Sequence, residues 1–292
     1  MRDYRMALIT CLFTAACASA PGGSGSSPDA TALESTGPIE LATVLSGSWR
    51  DESDRARDRM RHPAEVLAFF GLEPGMTVVE ISPGAGWYTK ILAPYVHRTG
   101  GRFIAAGFDP NDEREYAQRG LRSFQTNFVE RPEIYGPIEV TVVGPGSKGV
   151  APDESADLIL TFRSAHNWVP SGYADEVFAD LYRALRPGGV LGVVDHRLPE
   201  SSEAKNGVSG GYIQESVVVE LAERAGFVLD ARSALNDNAA DTADHPFGVW
   251  TLPPTALTAA FGKPRDPDFD RTRYDAIGES DRFTLRFRKP AL

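Results

Sequence analysis

The chain has 292 residues, 42% of them hydrophobic and 24% charged, with a formal net charge of −10. That length and composition suit one large globular domain or two small ones. An acidic surface repels phosphate backbones and excludes nucleic acid as a natural partner, and beyond the N-terminus no segment approaches the roughly 20 apolar residues of a membrane span.

The N-terminus departs from the rest. Met1 to Arg5 carries two arginines, Met6 to Ala16 is a short apolar run, and small residues follow. This is the layout of a signal peptide. Both cysteines lie here, and Cys17 follows Thr14-Ala15-Ala16 in the manner of a lipobox, with Thr14 where such boxes usually carry Leu. Plain cleavage after Ala18 or Ala20 is the alternative, the latter disfavoured by Pro21. Residues 1–17 are therefore read as a signal peptide, 18–47 as a flexible linker rich in Gly, Ser and Pro, and 48–292 as the folded domain. The expectation is an exported protein of the periplasm or outer membrane, touching membrane only through a lipid on Cys17. The mature domain then has no disulfide and no thiolate catalyst.

A charged helical stretch is expected over Ser48 to His62, followed by a helix opened by Pro63 and closed by Gly71. Strand and helix then alternate. Strands are predicted at Met76–Ile81, Arg102–Phe108, Ile138–Val143, Asp157–Thr161, Val190–Asp195 and Phe227–Ala231. Helices are predicted at Trp87–Val96, Ala174–Leu185 and Glu215–Ala225. This order implies a doubly wound α/β fold, with a mainly parallel, Rossmann-like sheet covered on both faces. Arg282 to Arg288 alternates apolar and polar residues and adds a seventh strand, an antiparallel C-terminal edge strand with one wet face. Leu235 to Asp281 reads as loops with one short helix near Thr255 to Phe261.

The most informative stretch is Val78-Val79-Glu80-Ile81-Ser82-Pro83-Gly84-Ala85-Gly86-Trp87-Tyr88-Thr89. An apolar strand enters a glycine turn and then a helix, whose free N–H groups and dipole favour a ligand. A dinucleotide fingerprint requires a small residue three places after Gly86, where Thr89 stands, so a nicotinamide cofactor is disfavoured. The stretch resembles motif I of class I S-adenosylmethionine-dependent methyltransferases, with Ser82 in place of the usual first glycine. More closely, the chain resembles a family of predicted bacterial methyltransferases with exported or lipoprotein members. The shared stretches are E-x-x-P-G-x-G-W-Y-T at this loop, Arg61-His62-Pro63-Ala64-Glu65, Phe162-Arg163 with His166-Asn167-Trp168, Asp195-His196-Arg197 and Asp281-Arg282-Phe283. The resemblance implies S-adenosyl-L-methionine as cofactor, held by Glu80, Ser82, Gly84 and Gly86, with Asp109 accepting from the ribose hydroxyls at the end of the second strand.

Ligands of doubly wound sheets sit at the carboxyl ends of the strands. The fourth and fifth predicted strands would deliver Arg163, His166, Asn167 and Trp168, and Asp195, His196 and Arg197, to one cleft. Methyl transfer needs a positioned nucleophile and, for many acceptors, a base. His166, Asp195 and His196 are the candidate catalytic groups. Arg163, Asn167, Trp168, Arg197 and Tyr212 are the candidate substrate contacts. The histidines lack metal-ligand spacing in sequence, so no metal is expected. The sequence thus points to methyl transfer to a small molecule. The alternative is a non-catalytic envelope protein that keeps the fold and binds a ligand in the same cleft.

Overall fold

The computed structural model describes residues 40–291, so the predicted signal peptide and Cys17 lie outside the described residues. Ten strands form: β1 Thr77–Ile81, β2 Arg102–Gly107, β3 Ile138–Val142, β4 Ala156–Phe162, β5 Leu185–Leu198, β6 Val208–Ser209, β7 Tyr212–Gln214, β8 Val228–Ser233, β9 Pro246–Val249 and β10 Arg282–Arg288. Seven of them build the main sheet in the order β3-β2-β1-β4-β5-β10-β8. From β3 to β5 all neighbours are parallel. Antiparallel pairing is confined to the far end, where β10 pairs with β5 and with the outermost strand β8. The short strands β6 and β7 extend the carboxyl end of β5. Strand order reverses direction between β1 and β4, which opens a crevice at their carboxyl ends.

The strands are rich in Val, Ile and Leu because both faces are covered. Successive residues point to opposite faces. Val78 accordingly packs with Leu158, Leu160 and the helices Pro63–Phe70 and Thr89–Arg98. Val79 packs on the other side with Ile159, Leu191 and the helices Ala174–Ala184 and Glu215–Ala225. The helix Pro63–Phe70 has Pro at its first turn and ends at Gly71 in a left-handed conformation, as its sequence predicts.

Several expectations change in detail. The stretch Ser48 to His62 forms two short helices, Glu52–Ala56 and Asp58–Arg61, broken at Arg57. The part of the predicted linker that is described includes a helix, Leu41–Leu45, with Val44 buried. β5 starts at Leu185 and runs to Leu198, taking in Pro187-Gly188-Gly189 between the predicted helix and the predicted strand. No helix forms at Thr255 to Phe261, where Ala256 adopts a left-handed backbone (φ 53°); the helix of this region is Thr272–Ile277. The predicted wet face of β10 is largely covered: Arg282 and Thr284 are buried and only Arg288 is exposed.

Trp168 is also reassigned. In the helix Ala165–Ser171, residues three apart share a face, and Ala165 and Trp168 both turn inward. The Trp168 ring is 2% exposed and meets Phe178 edge-on at 6.0 Å, so it is a core residue and not a substrate contact. Trp168→Ala should therefore lower the unfolding free energy by about 3–5 kcal/mol in urea titrations. Cofactor affinity of the folded protein should stay within about twofold, and a loss of affinity without a loss of stability would return Trp168 to the cleft.

Candidate functional site

The loop after β1 takes its shape from three left-handed residues: Ser82 (φ 52°), Gly84 (φ 57°) and Gly86 (φ 76°). Ser82 donates its N–H to the carbonyl of Ala106 at 2.8 Å, which ties the loop to β2. A left-handed serine costs about 1–2 kcal/mol, the physical reason that glycine is usual at such a position. A side chain at Gly86 would run into the ring of Phe128, whereas one at Gly84 would meet only the carbonyl of Ser82, at 3.9 Å. Backbone is therefore presented to an open space at Gly84.

Glu80 lies behind this loop. Its Oε2 accepts from Thr89 Oγ1 at 2.6 Å, and burial pushes the carboxyl up to about 8, outweighing that bond. Thr89, whose size argued against a dinucleotide site, is thus the partner of the buried acid. Asp109 stands just past β2 in a turn, where its Oδ1 accepts from the backbone N–H and the Nδ2 of Asn111 at 2.8 and 3.0 Å. Among the described residues its Oδ2 has no partner.

At the ends of β4 and β5 the predicted catalytic groups do come together. Asp195 is fully buried; its Oδ1 lies 2.7 Å from His166 Nδ1 and accepts from the N–H of His196 at 2.8 Å, and its Oδ2 accepts from the N–H of His166 at 3.1 Å. Nδ1 of His166 is engaged by the carboxylate, and Nε2 is the ring nitrogen that Asp195 leaves open. His196 Nδ1 lies 2.5 Å from Ser280 Oγ, and the two imidazole rings are 5.3 Å apart. Burial first, then repulsion by His166, Arg163, Arg282 and Arg61, holds His196 well below 6.5, so it is neutral at physiological pH. His166, Asp195 and His196 also bring one potential metal-ligand atom each within 4.8 Å of one another, a juxtaposition that sequence spacing did not reveal. His166 Nδ1 and Asp195 Oδ1 are engaged with each other, and Nε2 of His166 is not part of that contact.

The other predicted contacts divide. Asn167 is exposed. Arg197 is not presented to the cleft: it pairs with Asp237 at 2.7 Å and Asp281 at 3.2 Å, and so braces the loop after β8. Tyr212 is buried, with its hydroxyl 3.2 Å from Asp241 Oδ1 and its ring 6.0 Å from that of His196. Trp250 faces His166 at 6.4 Å and is capped by Phe261 at 5.2 Å, so the irregular segment before β10 roofs the histidines. Arg163 adopts a left-handed backbone (φ 60°) and is half-buried.

Sequence reasoning gave no role to Arg61, Glu279 or Arg282. Both oxygens of Glu279 accept from Arg61 Nε, at 2.9 and 2.8 Å; Oε1 also accepts from Arg57 at 2.9 Å and Oε2 from Arg282 at 3.1 Å. Burial pushes the Glu279 carboxyl up, but the surrounding arginines outweigh it and hold it at about 2. Arg61 and Arg282 both stand in stretches singled out by the sequence resemblance, which was the available signal.

Residues 79–193 match a methyltransferase domain family. Sterol 24-C-methyltransferase of Yarrowia lipolytica is 26% identical over 206 residues, covering 66% of this chain and 48% of that protein. The ubiquinone/menaquinone biosynthesis C-methyltransferase UbiE of Hydrogenovibrio crunogenus is 30% identical over 135 residues, 46% of each chain. The chain spans about half the length of these two curated relatives. Among solved structures, the 4+2 cyclase SpnF shares the fold with a TM-score of 0.53 at 13% identity, over 86% of this chain and 92% of that one. The family match over residues 79–193 and the methyltransferase relatives imply S-adenosylmethionine as the cofactor. The residues present fit it: Gly84 offers uncovered backbone and Asp109 one free carboxylate oxygen.

Two buried groups give opposite pH signatures. Glu80 has a folded value near 8 against 4.5 in the unfolded chain, so stability falls as pH rises through that interval. His196 is depressed from 6.5, so stability falls as pH drops below 6.5. Urea midpoints measured from pH 5 to 9 should show Glu80→Gln removing the loss that accompanies a rise from pH 5 to about 8, and His196→Gln removing the loss below pH 6.5. Unchanged pH profiles in both variants would mean that neither group is held neutral.

Proposed function

We propose that the chain transfers a methyl group from S-adenosylmethionine to a small-molecule acceptor seated over His166 and His196. The observation that carries this reading is that the left-handed loop Ser82–Gly86 and the His166–Asp195 pair open at the same end of the adjacent strands β1, β4 and β5. When bound, S-adenosylmethionine supplies an electrophilic methyl group. The backbone at Gly84 leaves room for its methionine part, Gly86 lets the loop turn against Phe128, Glu80 backs the loop, and the free Oδ2 of Asp109 accepts from ribose hydroxyls. His166 Nε2 receives the proton that the acceptor gives up, while Asp195 fixes the ring and its tautomer. Neutral His196, held by Ser280, offers the acceptor a polar contact without adding charge. Trp250 and Phe261 keep water from the histidines, which strengthens every electrostatic term within. Both curated relatives are named C-methyltransferases, and methylation of an enolic or phenolic carbon is a reaction that calls for such a base.

We also propose that the protein is exported and lipid-anchored at Cys17. The charged start, short apolar run and small residues before Cys17 support it. One acyl chain holds a protein only marginally, so firm anchoring requires multiple acylation at this cysteine. Wild-type protein should fractionate with membranes and Cys17→Ser should appear as soluble or unprocessed chain; a soluble cytoplasmic product that retains Met1 would refute export.

Calorimetry on the full chain should give saturable heat with S-adenosylhomocysteine and none with NAD. Asp109→Ala should weaken that binding about ten- to a hundredfold, the worth of one or two charged hydrogen bonds. With an acceptor in hand, His166→Ala should cut kcat by about 10²–10⁴ while cofactor affinity stays within about threefold. Parallel losses of turnover, cofactor affinity and stability would leave His166 a structural part only.

A further inference from the structure

The cation balance beside His196 does not close. Four guanidinium groups, those of Arg57, Arg61, Arg163 and Arg282, share the single carboxylate of Glu279. Three of them bond to it directly. The guanidinium of Arg163 makes no hydrogen bond or ion pair with any described residue, although it is close enough to Arg61 and Arg282 to be repelled by both. Arg61 is 1% exposed, and its Nη2 is buried without a partner. Its guanidinium lies over the ring of Trp87 at 4.6 Å, which fixes its plane. A buried guanidinium nitrogen with nothing to donate to is costly, and an unpaired arginine beside it compounds the cost. Burial and the neighbouring Arg163 already pull Arg61 down to about 9.

The place of this excess charge is specific. Arg163 directly follows β4, its N–H bonded to the carbonyl of Val194 at 2.7 Å, and Asp195 and His196 come next on β5. Tyr88 and Phe162, stacked at 3.5 Å, give the same corner an apolar wall. Its charge faces the site from the N-terminal helices, from β4 and from β10 together.

We propose that Arg61 and Arg163 form an anion subsite beside His196, and that the methyl acceptor carries a carboxylate or phosphate group that seats there. Two planar forks suit either oxyanion, because each can donate two parallel hydrogen bonds. The bound oxyanion offsets part of the excess positive charge of the corner and orients the acceptor's reacting atom over the His166–Asp195 pair. This inference rests on the methyl-transfer reading for the identity of the ligand, but the subsite is measured without any transfer.

The test titrates inorganic phosphate and, separately, acetate into the full chain under calorimetry, with and without saturating S-adenosylhomocysteine. Wild type should bind one of the two anions saturably at millimolar concentration, with the cofactor product present as well as absent; the stronger of the two identifies the acceptor's group. Arg163→Gln should weaken anion binding at least about tenfold and change S-adenosylhomocysteine affinity less than about twofold. Arg163→Gly, suited to the left-handed backbone, provides the same test should the glutamine variant fail to fold. If S-adenosylhomocysteine abolishes anion binding and loses affinity in the Arg163 variants, the arginines hold the cofactor's own carboxylate and the proposal is overturned. Absence of anion binding to wild type also overturns it, while leaving cofactor binding intact. Conversely, failure to bind S-adenosylhomocysteine with anion binding retained defeats the methyl-transfer reading and not the subsite.

Discussion

Glu279 holds three guanidinium groups with one carboxylate, and the wall around the strand ends depends on that junction. It joins Arg57 and Arg61, from the short helices before the sheet, to a residue just before β10, across a sequence separation of 222 residues for the first pair. Desolvating ions costs several kcal/mol each before their attraction is counted. The arrangement is tolerable because every oxygen of Glu279 accepts more than once and because Arg282 also donates to the carbonyls of Ser280 and Met60. One negative charge cannot neutralise three positive ones. The remainder is felt by Tyr88, which burial pushes up to about 12 against the pull of the arginines, and by His196, which stays uncharged.

Two buried titratable side chains are held neutral near the strand ends. Glu80 is kept protonated by burial below the cofactor loop, and His196 is kept unprotonated by burial and by positive neighbours above it. Asp195, next to His196 on β5, has a carboxylate that receives three hydrogen bonds from two residues. The chemistry available is thus set by side chains and not by the sheet. The shared fold of a protein named as a cyclase makes the same point, since one framework serves unlike reactions.

Much of the framework was legible in the sequence because it rests on local rules. The apolar run Val78 to Ile81, the glycine turn after it and the cap at Gly226 each announce an element, and Glu215–Ala225 forms where its pattern places it. The meeting of His166 with Asp195 followed from the rule that strand ends share a cleft. What stayed hidden was rotational and long-range. Nothing local indicates which face of a seven-residue helix turns inward, so Trp168 and Asn167 were assigned together although one is core and the other exposed. Ion pairing between Arg61 and Glu279 has no sequence periodicity at all. Arg197 was read as a cleft residue because it follows His196, but alternation along β5 sends it to Asp237 and Asp281.

The register of β10 carries a consequence for how this architecture can diversify. Arg282 lies opposite His196 and Phe283 opposite Asp195, and the same strand is gripped on its other side by β8. The irregular segment from Leu235 to Asp281 therefore leaves from one anchored strand and returns through another. It supplies Trp250, Phe261, Glu279 and Ser280 to the surroundings of the histidines. Anchors on both sides isolate the sheet from changes of length or composition in between. Substitutions in this canopy therefore alter what the strand ends are exposed to without displacing the His166–Asp195 pair beneath.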